Sequence, residues 1–214
     1  MKRVEKVKKQ LKAIKFLKFL KNTNTYEELS DLTGFSPVTL NRYIMGRVLP
    51  DIKRAEEIVD LFGQDFLEKE TEKLVRFDED GYIDNSELIF NTSFMETVAD
   101  LVSERFEDSE KVLTAASDGI PLGVHIGKEL GVNCIFAKSR KEIGIDDFVE
   151  VRYKLGSGRS DSYFIPKGSL NEDKVLIIDD LIRTGDTQKA LIKMAKKTNS
   201  EIIGVFYPCK FSLH

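Results

Sequence analysis

The residues best suited to chemistry in this chain lie together in Val175-Leu-Ile-Ile-Asp-Asp-Leu-Ile-Arg-Thr-Gly-Asp-Thr187. Four aliphatic residues predict a buried strand that delivers two adjacent carboxylates, Asp179 and Asp180, at its carboxyl end. In an open sheet covered by helices, that end is where ligands bind. The loop Arg183-Thr-Gly-Asp-Thr187 follows and leads into a helix over 187–198. The backbone amides of such a loop, the helix N-terminus and the hydroxyls of Thr184 and Thr187 can cradle a phosphate. The carboxylate pair suits the hydroxyls of a ribose and the metal that bridges them.

Other reactive groups are scarce. The two histidines, His125 and His214, leave little material for Ser-His-Asp chemistry or a His-rich metal site. Cys134 and Cys209 lack zinc spacing and are too few for a disulfide framework, so they read as small hydrophobes. Neither zinc nor a nicotinamide cofactor is expected. Hydrophobic residues at 41% and charged residues at 32% allow a core of ordinary size and exclude a disordered chain. No apolar run approaches the ~20 residues of a membrane span. The lysine-bearing N-terminus lacks a signal-peptide apolar block, so a cytoplasmic protein is expected.

The elements that must position the carboxylates alternate. Helix is predicted over Thr92–Phe106, strand over Lys111–Ala116, helix over Gly119–Leu130 and strand over Asn133–Ala137. Strand follows at Val175–Ile178, helix at Thr187–Thr198 and strand at Glu201–Tyr207. Strands alternating with helices of this length predict a parallel sheet covered on both faces. Upstream, residues 64–84 read as a linker or short hairpin edge, with Asp80-Gly81 as its turn signal.

Charge divides the chain. Residues 1–63 hold 13 Lys and Arg against 8 Asp and Glu, net +5, while residues 64–214 hold 20 against 28, net −8. A basic head on an acidic body suggests that the head meets a polyanion. Val4, Val7, Leu11, Ile14, Phe16, Leu17 and Leu20 recur at helical spacing, predicting an amphipathic helix with lysines on its other face. Thr25 and Glu28 form a capping box for a second helix, which carries Leu29 and Leu32 and stops at Gly34. Ser36-Pro37 opens a third, Pro37–Met45. A fourth begins near Pro50-Asp51, with Ala55, Ile58, Val59 and Leu61 or Phe62 inward. Two short helices across a tight Gly34-Phe35 turn make a helix-turn-helix unit. In its second helix Val38, Leu40 and Ile44 are expected to pack on Leu29 and Leu32. Ser36, Thr39, Asn41, Arg42 and Tyr43, with Arg47 just beyond, would then face the major groove of duplex DNA. Asn and Arg suit base edges, and hydroxyls suit phosphates.

Residues 26–50 resemble the phage-repressor type of helix-turn-helix. Val175–Thr187 resembles the signature of type I phosphoribosyltransferases, which bind phosphoribosyl pyrophosphate (PRPP) with magnesium. The resemblance implies that Asp179 and Asp180 hold the ribose hydroxyls and, through the ligand, Mg2+. It implies that Arg183, Thr184, Gly185, Asp186 and Thr187 form the 5′-phosphate loop. Ala116-Ser117-Asp118-Gly119 looks like the family's pyrophosphate loop, which puts Ser117, Asp118 and Gly119 at the diphosphate. Lys138-Ser-Arg140-Lys141-Glu142 is similar to the Arg-Lys-Glu stretch of orotate phosphoribosyltransferases, implying that Arg140 and Lys141 neutralise the diphosphate. Those enzymes continue with a mobile loop carrying a further Lys and a His-Gly pair. Here Ile143-Gly-Ile-Asp-Asp147 follows, and acids supply no cation to a leaving diphosphate. Tyr153–Ser162 resembles instead the Tyr…Ser-Gly-Ser loop of the purine-operon repressors of Gram-positive bacteria. As a whole the chain resembles the archaeal orotate-phosphoribosyltransferase-like transcription regulators.

The expected protein is of the α/β class. A small all-α helix-turn-helix domain (1–63) and a linker (64–84) precede a type I phosphoribosyltransferase-like parallel-sheet domain (85–214). A homodimer is expected to bind a double-stranded operator and to sense PRPP, a nucleotide or a sugar phosphate. The alternative is an active purine or pyrimidine phosphoribosyltransferase using PRPP and Mg2+, with Asp179 and Asp180 catalytic.

Overall fold

The structure, a computed structural model, describes residues 3–61, 64–80, 82–154 and 160–210, and the side chains of 64, 65, 209 and 210 fall outside it. Phe62, Gly81, His214, the stretch 155–159 and the side chain of Cys209 therefore lie outside the described residues.

The head is built by its caps. Helices α1 (Arg3–Lys21), α2 (Tyr26–Thr33), α3 (Pro37–Ile44) and α4 (Ile52–Asp60) follow in order. Thr25 Oγ1 accepts from Glu28 N at 3.2 Å while Glu28 Oε2 accepts from Thr25 N at 2.7 Å, closing the capping box of α2. Gly34 ends α2 at φ 72°, a left-handed backbone that glycine adopts without strain. Ser36 caps α3, with Pro37 in its first turn.

Several inward assignments are corrected. Val4, Val7 and Leu11 are exposed; in its first half α1 meets the rest of the head through Lys9, which reaches Glu56 Oε1 at 2.9 Å, and Gln10, which donates to Pro50 O at 2.6 Å. The second half of α1 is buried on two sides, Lys12 included, because α3 and α4 pack on one side and the body on the other, while Lys18 stays exposed. Leu32 and Val38 are also exposed, so Leu29, Leu40 and Ile44 carry the α2–α3 contact.

Residues 64–84 hold α5 (Gln64–Lys73) and a short antiparallel hairpin, β1 (Arg76–Phe77) with β2 (Ile83–Asp84). Then come α6 (Ser86–Phe90) and α7 (Thr92–Arg105). The body continues with β3 (Lys111–Ala115), α8 (Gly119–Leu130), β4 (Asn133–Ala137), β5 (Phe148–Lys154), β6 (Ser160–Pro166) and β7 (Lys174–Ile178). It ends with β8 (Leu181–Ile182), α9 (Asp186–Lys197), β9 (Glu201–Phe206) and β10 (Cys209–Lys210). A four-stranded parallel sheet runs in the order β4-β3-β7-β9.

Alternation along its strands feeds two cores. Val112, Leu176 and Ile178 face α7 and α8, meeting Val98, Leu122 and Ile126. Leu113, Val175 and Ile177 face α9 and the β5–β6 hairpin, meeting Leu191, Met194, Val151 and Ile165. The first core does not stop at the body. It runs on through Phe94 and Met95 to Phe16, Leu17, Leu40 and Ile58, so head and body share one hydrophobic core. Phe19 of α1 meets Phe94 of α7 with ring centroids 5.7 Å apart. Lys12 Nζ lies 2.8 Å from Glu104 Oε1, and Lys15 Nζ lies 3.1 Å from Asp100 Oδ2. No helix among the described residues is long and apolar enough to cross a membrane.

Candidate functional site

Strand β7 ends by placing Asp179 and Asp180 at the carboxyl edge of the sheet, on the floor of a cavity of about 400 Å³. Ser117, Asp118 and Gly119 from the β3–α8 turn form one wall; Arg183, Thr184, Gly185, Asp186 and Thr187 from the loop before α9 form another. Both glycines have a physical reason. Gly185 takes φ 76° as the residue before α9, where a side chain would be strained. At Gly119 an added Cβ would collide with Thr114 Oγ1 of β3, so only glycine lets α8 start against the sheet. The first turns of α8 and α9 both open on the cavity, and first-turn amides lack intrahelical acceptors. The Ala116–Ser117 peptide preceding α8 is cis.

The carboxylate pair is buried and crowded. Asp180 N donates to Asp179 Oδ1 at 3.2 Å, and Gln188 Nε2 donates to Asp179 Oδ2. Asp180 Oδ2 accepts from Asn85 Nδ2 at 2.6 Å. Burial pushes the Asp179 carboxyl up to about 8, with the charge of Asp180 adding to it. Burial raises Asp180 as well, helped by Asp118. Removing a carboxylate from water disfavours its ionised form, so the pair holds a proton readily.

Four carboxylates (Asp118, Asp179, Asp180 and Asp186) line the cavity against the guanidinium of Arg183. A phosphorylated ligand would be repelled there unless a cation came with it. Adjacent carboxylates suit a hard divalent ion such as Mg2+, which is held by one or two protein oxygens plus those of the ligand and water. Among the described residues no group of three or more His, Cys, Asp or Glu forms a metal site of its own. Gln188 Oε1, buried beside Asp179 without a hydrogen-bond partner, adds an unsatisfied oxygen to the pair.

Two expected contacts fall elsewhere. Arg140 lines a separate cavity of about 210 Å³ with Cys134, Phe136, Phe148 and Phe164. Lys141 Nζ lies 5.7 Å and 5.4 Å from the ring centroids of Phe148 and Phe164. The cause is a bridge in which Lys138 N donates to Phe164 O at 2.9 Å and Phe164 N to Lys138 O at 2.8 Å. It draws the chain after β4 over the β5–β6 hairpin. Four wall residues were missed by sequence reasoning: Ile83, Asn85, Tyr163 and Gln188. Gln188 follows the signature directly and was within reach. Asn85 lies 95 residues from its partner Asp180, and no local pattern marks it.

In the head, Arg42 and Arg47 are exposed, as the groove-facing reading of α3 requires. Ser36 and Thr39 share a side-chain hydrogen bond of 2.9 Å, and Asn41 Nδ2 donates to Tyr26 Oη at 2.9 Å. Tyr43 is corrected: it is buried, its ring meets Phe35 edge-on at 6.4 Å, and its hydroxyl accepts from Arg54 Nη1 at 2.8 Å. It lies three residues after Leu40, on the same helical face, and so points inward.

The fold and the site thus define a helix-turn-helix domain joined to a phosphoribosyltransferase-like parallel-sheet domain. The helix-turn-helix family HTH_3 matches residues 17–69. Over 130 residues the chain is 29% identical to the probable purine biosynthesis transcriptional regulator PurR of Streptococcus pneumoniae, covering 58% of this chain and 47% of that one. It is 31% identical over 116 residues to the xanthine phosphoribosyltransferase of Oceanobacillus iheyensis, covering 52% and 60%. The chain thus spans about half the length of the curated relatives it matches. Among solved structures, adenine phosphoribosyltransferase from Thermoanaerobacter pseudethanolicus superposes with a TM-score of 0.58 at 17% identity, over 67% of this chain and 99% of that one. The Trypanosoma brucei enzyme in complex with AMP, pyrophosphate and ribose-5-phosphate gives 0.59 at 20%, over 66% of each. At these identities the likeness is one of fold.

Proposed function

We propose that this protein is a DNA-binding transcription regulator whose body binds PRPP or a related phosphorylated metabolite together with Mg2+. One observation carries the reading: a helix-turn-helix head and a phosphoribosyltransferase-like cavity share a single hydrophobic core. In the cavity, Asp179 and Asp180 hold the ribose hydroxyls and the ligand-borne ion. The 183–187 loop takes the 5′-phosphate, and Ser117, Asp118 and Gly119 meet the diphosphate. Arg140 and Lys141 are not among the residues that line this cavity. In the head, Arg42 and Arg47 reach the DNA, with Ser36, Thr39 and Asn41 beside them. Two copies would present two reading helices to a pseudo-palindromic operator. The likeness to the streptococcal regulator supports a regulator of this two-part layout; the archaeal orotate-phosphoribosyltransferase-like group is proposed on the sequence resemblance alone.

The test is binding to the DNA upstream of its own gene, at fixed salt, with and without PRPP and Mg2+. The expected result is a specific complex whose affinity PRPP changes. Absence of any specific complex would refute the regulator. The second reading is an active phosphoribosyltransferase, favoured by the intact carboxylate pair and by the likeness to xanthine phosphoribosyltransferase. Turnover of a nucleobase with PRPP would establish it. The Ile143–Asp147 stretch, with acids where orotate enzymes carry Lys and His, argues against turnover.

A further inference from the structure

Asn85 stands where the connection between head and body touches the cavity. Its Nδ2 donates to Asp180 Oδ2 across 2.6 Å, and with Ile83 it forms part of the wall. On its other side Asn85 starts α6, its carbonyl accepting from Ile89 N at 3.0 Å. At the far end of α6, Asn91 Oδ1 caps α7 by accepting from Phe94 N at 3.0 Å. Phe94 is the residue whose ring meets Phe19 of α1, and α1 packs directly on α3, the reading helix. Every joint from a buried carboxylate of the cavity to the helix behind the reading helix is held by a named bond or ring contact.

We propose that Asn85 is the positioning residue that reports occupancy of the cavity to the DNA-binding head. The inference rests on reading the cavity as an effector site. One oxygen of Asp180 is committed to the Asn85 amide hydrogen. A cation or ribose hydroxyl drawn to the pair contests that oxygen. A cation repels the amide hydrogen and attracts the amide oxygen, so occupancy releases Asn85 or turns its amide over. Either event changes what fixes the start of α6. The ligand therefore has unequal affinity for the two arrangements of this segment, which is what coupling between sites requires.

The experiment uses the full chain, its upstream DNA, and PRPP with Mg2+. Calorimetry gives PRPP affinity, and anisotropy gives DNA affinity with and without saturating PRPP. In the wild type PRPP is expected to change DNA affinity by about 5–150-fold, the ordinary range of allosteric coupling. In Asn85→Ala, PRPP is expected to bind within about threefold of wild type or tighter, since a competitor for Asp180 is gone. Ligand-free DNA affinity stays, and the PRPP-induced change falls towards one. Asn85→Gln, which keeps the amide, restores part of it. If Asn85→Ala folds poorly by circular dichroism, Asn85→Ser, too short to span the gap, serves in its place with the same expectation. A variant that keeps the full PRPP-induced change overturns the inference and leaves the effector site standing. PRPP that binds the wild type without changing its DNA affinity also overturns it. PRPP that does not bind the wild type in the presence of Mg2+ removes PRPP as the effector, and this inference with it.

Discussion

At the scale of single residues, the protonation of the carboxylate pair makes the most specific predictions. Asp179 and Asp180 are held above the ordinary carboxylate range by burial. Between that range and about pH 8, the ligand-free folded protein holds a proton that the unfolded chain has lost. Stability of the ligand-free protein therefore falls as pH rises through that window, because the folded state binds more protons. Mg2+ and PRPP need the ionised pair, so their binding releases a proton and tightens with rising pH. Calorimetry at pH 7 in two buffers of different ionisation enthalpy reads this directly, and a binding heat independent of buffer would contradict it. Chelating Mg2+ with EDTA is expected to abolish PRPP binding, since four carboxylates then face the ligand's phosphates. Asp180→Asn is expected to lower PRPP affinity and leave ligand-free DNA binding intact. Loss of DNA binding in a folded Asp180→Asn protein would show that the carboxylate serves the head structurally. The carboxylates were legible in the sequence because strand, pair, loop and helix are contiguous there. Asn85 was not, because only the fold brings it to Asp180.

At the scale of elements, the helix-turn-helix was legible through its local chemistry. Thr25 with Glu28, Gly34, and Ser36 with Pro37 mark helix ends by hydrogen bonds that span three or four residues, and sequence displays such bonds directly. Burial within a helix was less legible, because it depends on which neighbours arrive. The buried half of α1 is enclosed on both sides, so its lysine-bearing face includes a buried Lys12. The β5–β6 hairpin went unplaced, although Val151, Tyr153, Tyr163 and Ile165 do alternate, because charged and polar residues interrupt the runs. The reading helix α3 supplies a paired test. Arg42→Ala is expected to weaken DNA binding. If Arg42 meets a base edge, discrimination at one position drops by about 1–3 kcal/mol; if it meets a phosphate, binding weakens for all sequences and the salt slope falls by about one. Tyr43→Phe removes the hydroxyl that Arg54 holds and should cost about 0.5–1.5 kcal/mol of stability, with base preference unchanged. A change in preferred operator for Tyr43→Phe, measured by competition binding, would return Tyr43 to the DNA face.

At the scale of the whole molecule, the shared core decides how head and body behave together. A head tethered by a flexible linker would melt separately from the body. Here the Phe19 ring packs tilted at 53° against Phe94, Lys12 and Lys15 reach Glu104 and Asp100, and one continuous set of buried side chains runs from Ile58 to Ile178. These ion pairs each join one buried to one more exposed group, so desolvation offsets much of their attraction. The aromatic contact is another matter, because Phe94 is fully buried and its truncation costs about 3–5 kcal/mol. The wild type is therefore expected to unfold in one transition, with PRPP and Mg2+ raising the melting temperature of the entire helical signal. With the proposed PRPP site confined to the body, a shift of the head's helices with PRPP is expected to pass through that core. Phe94→Ala should divide the melt in two, with PRPP shifting the later phase alone. Two transitions in the wild type, one indifferent to PRPP, would mean that head and body are independent. Any effect of the ligand on DNA would then have to pass between copies of the chain and not within one.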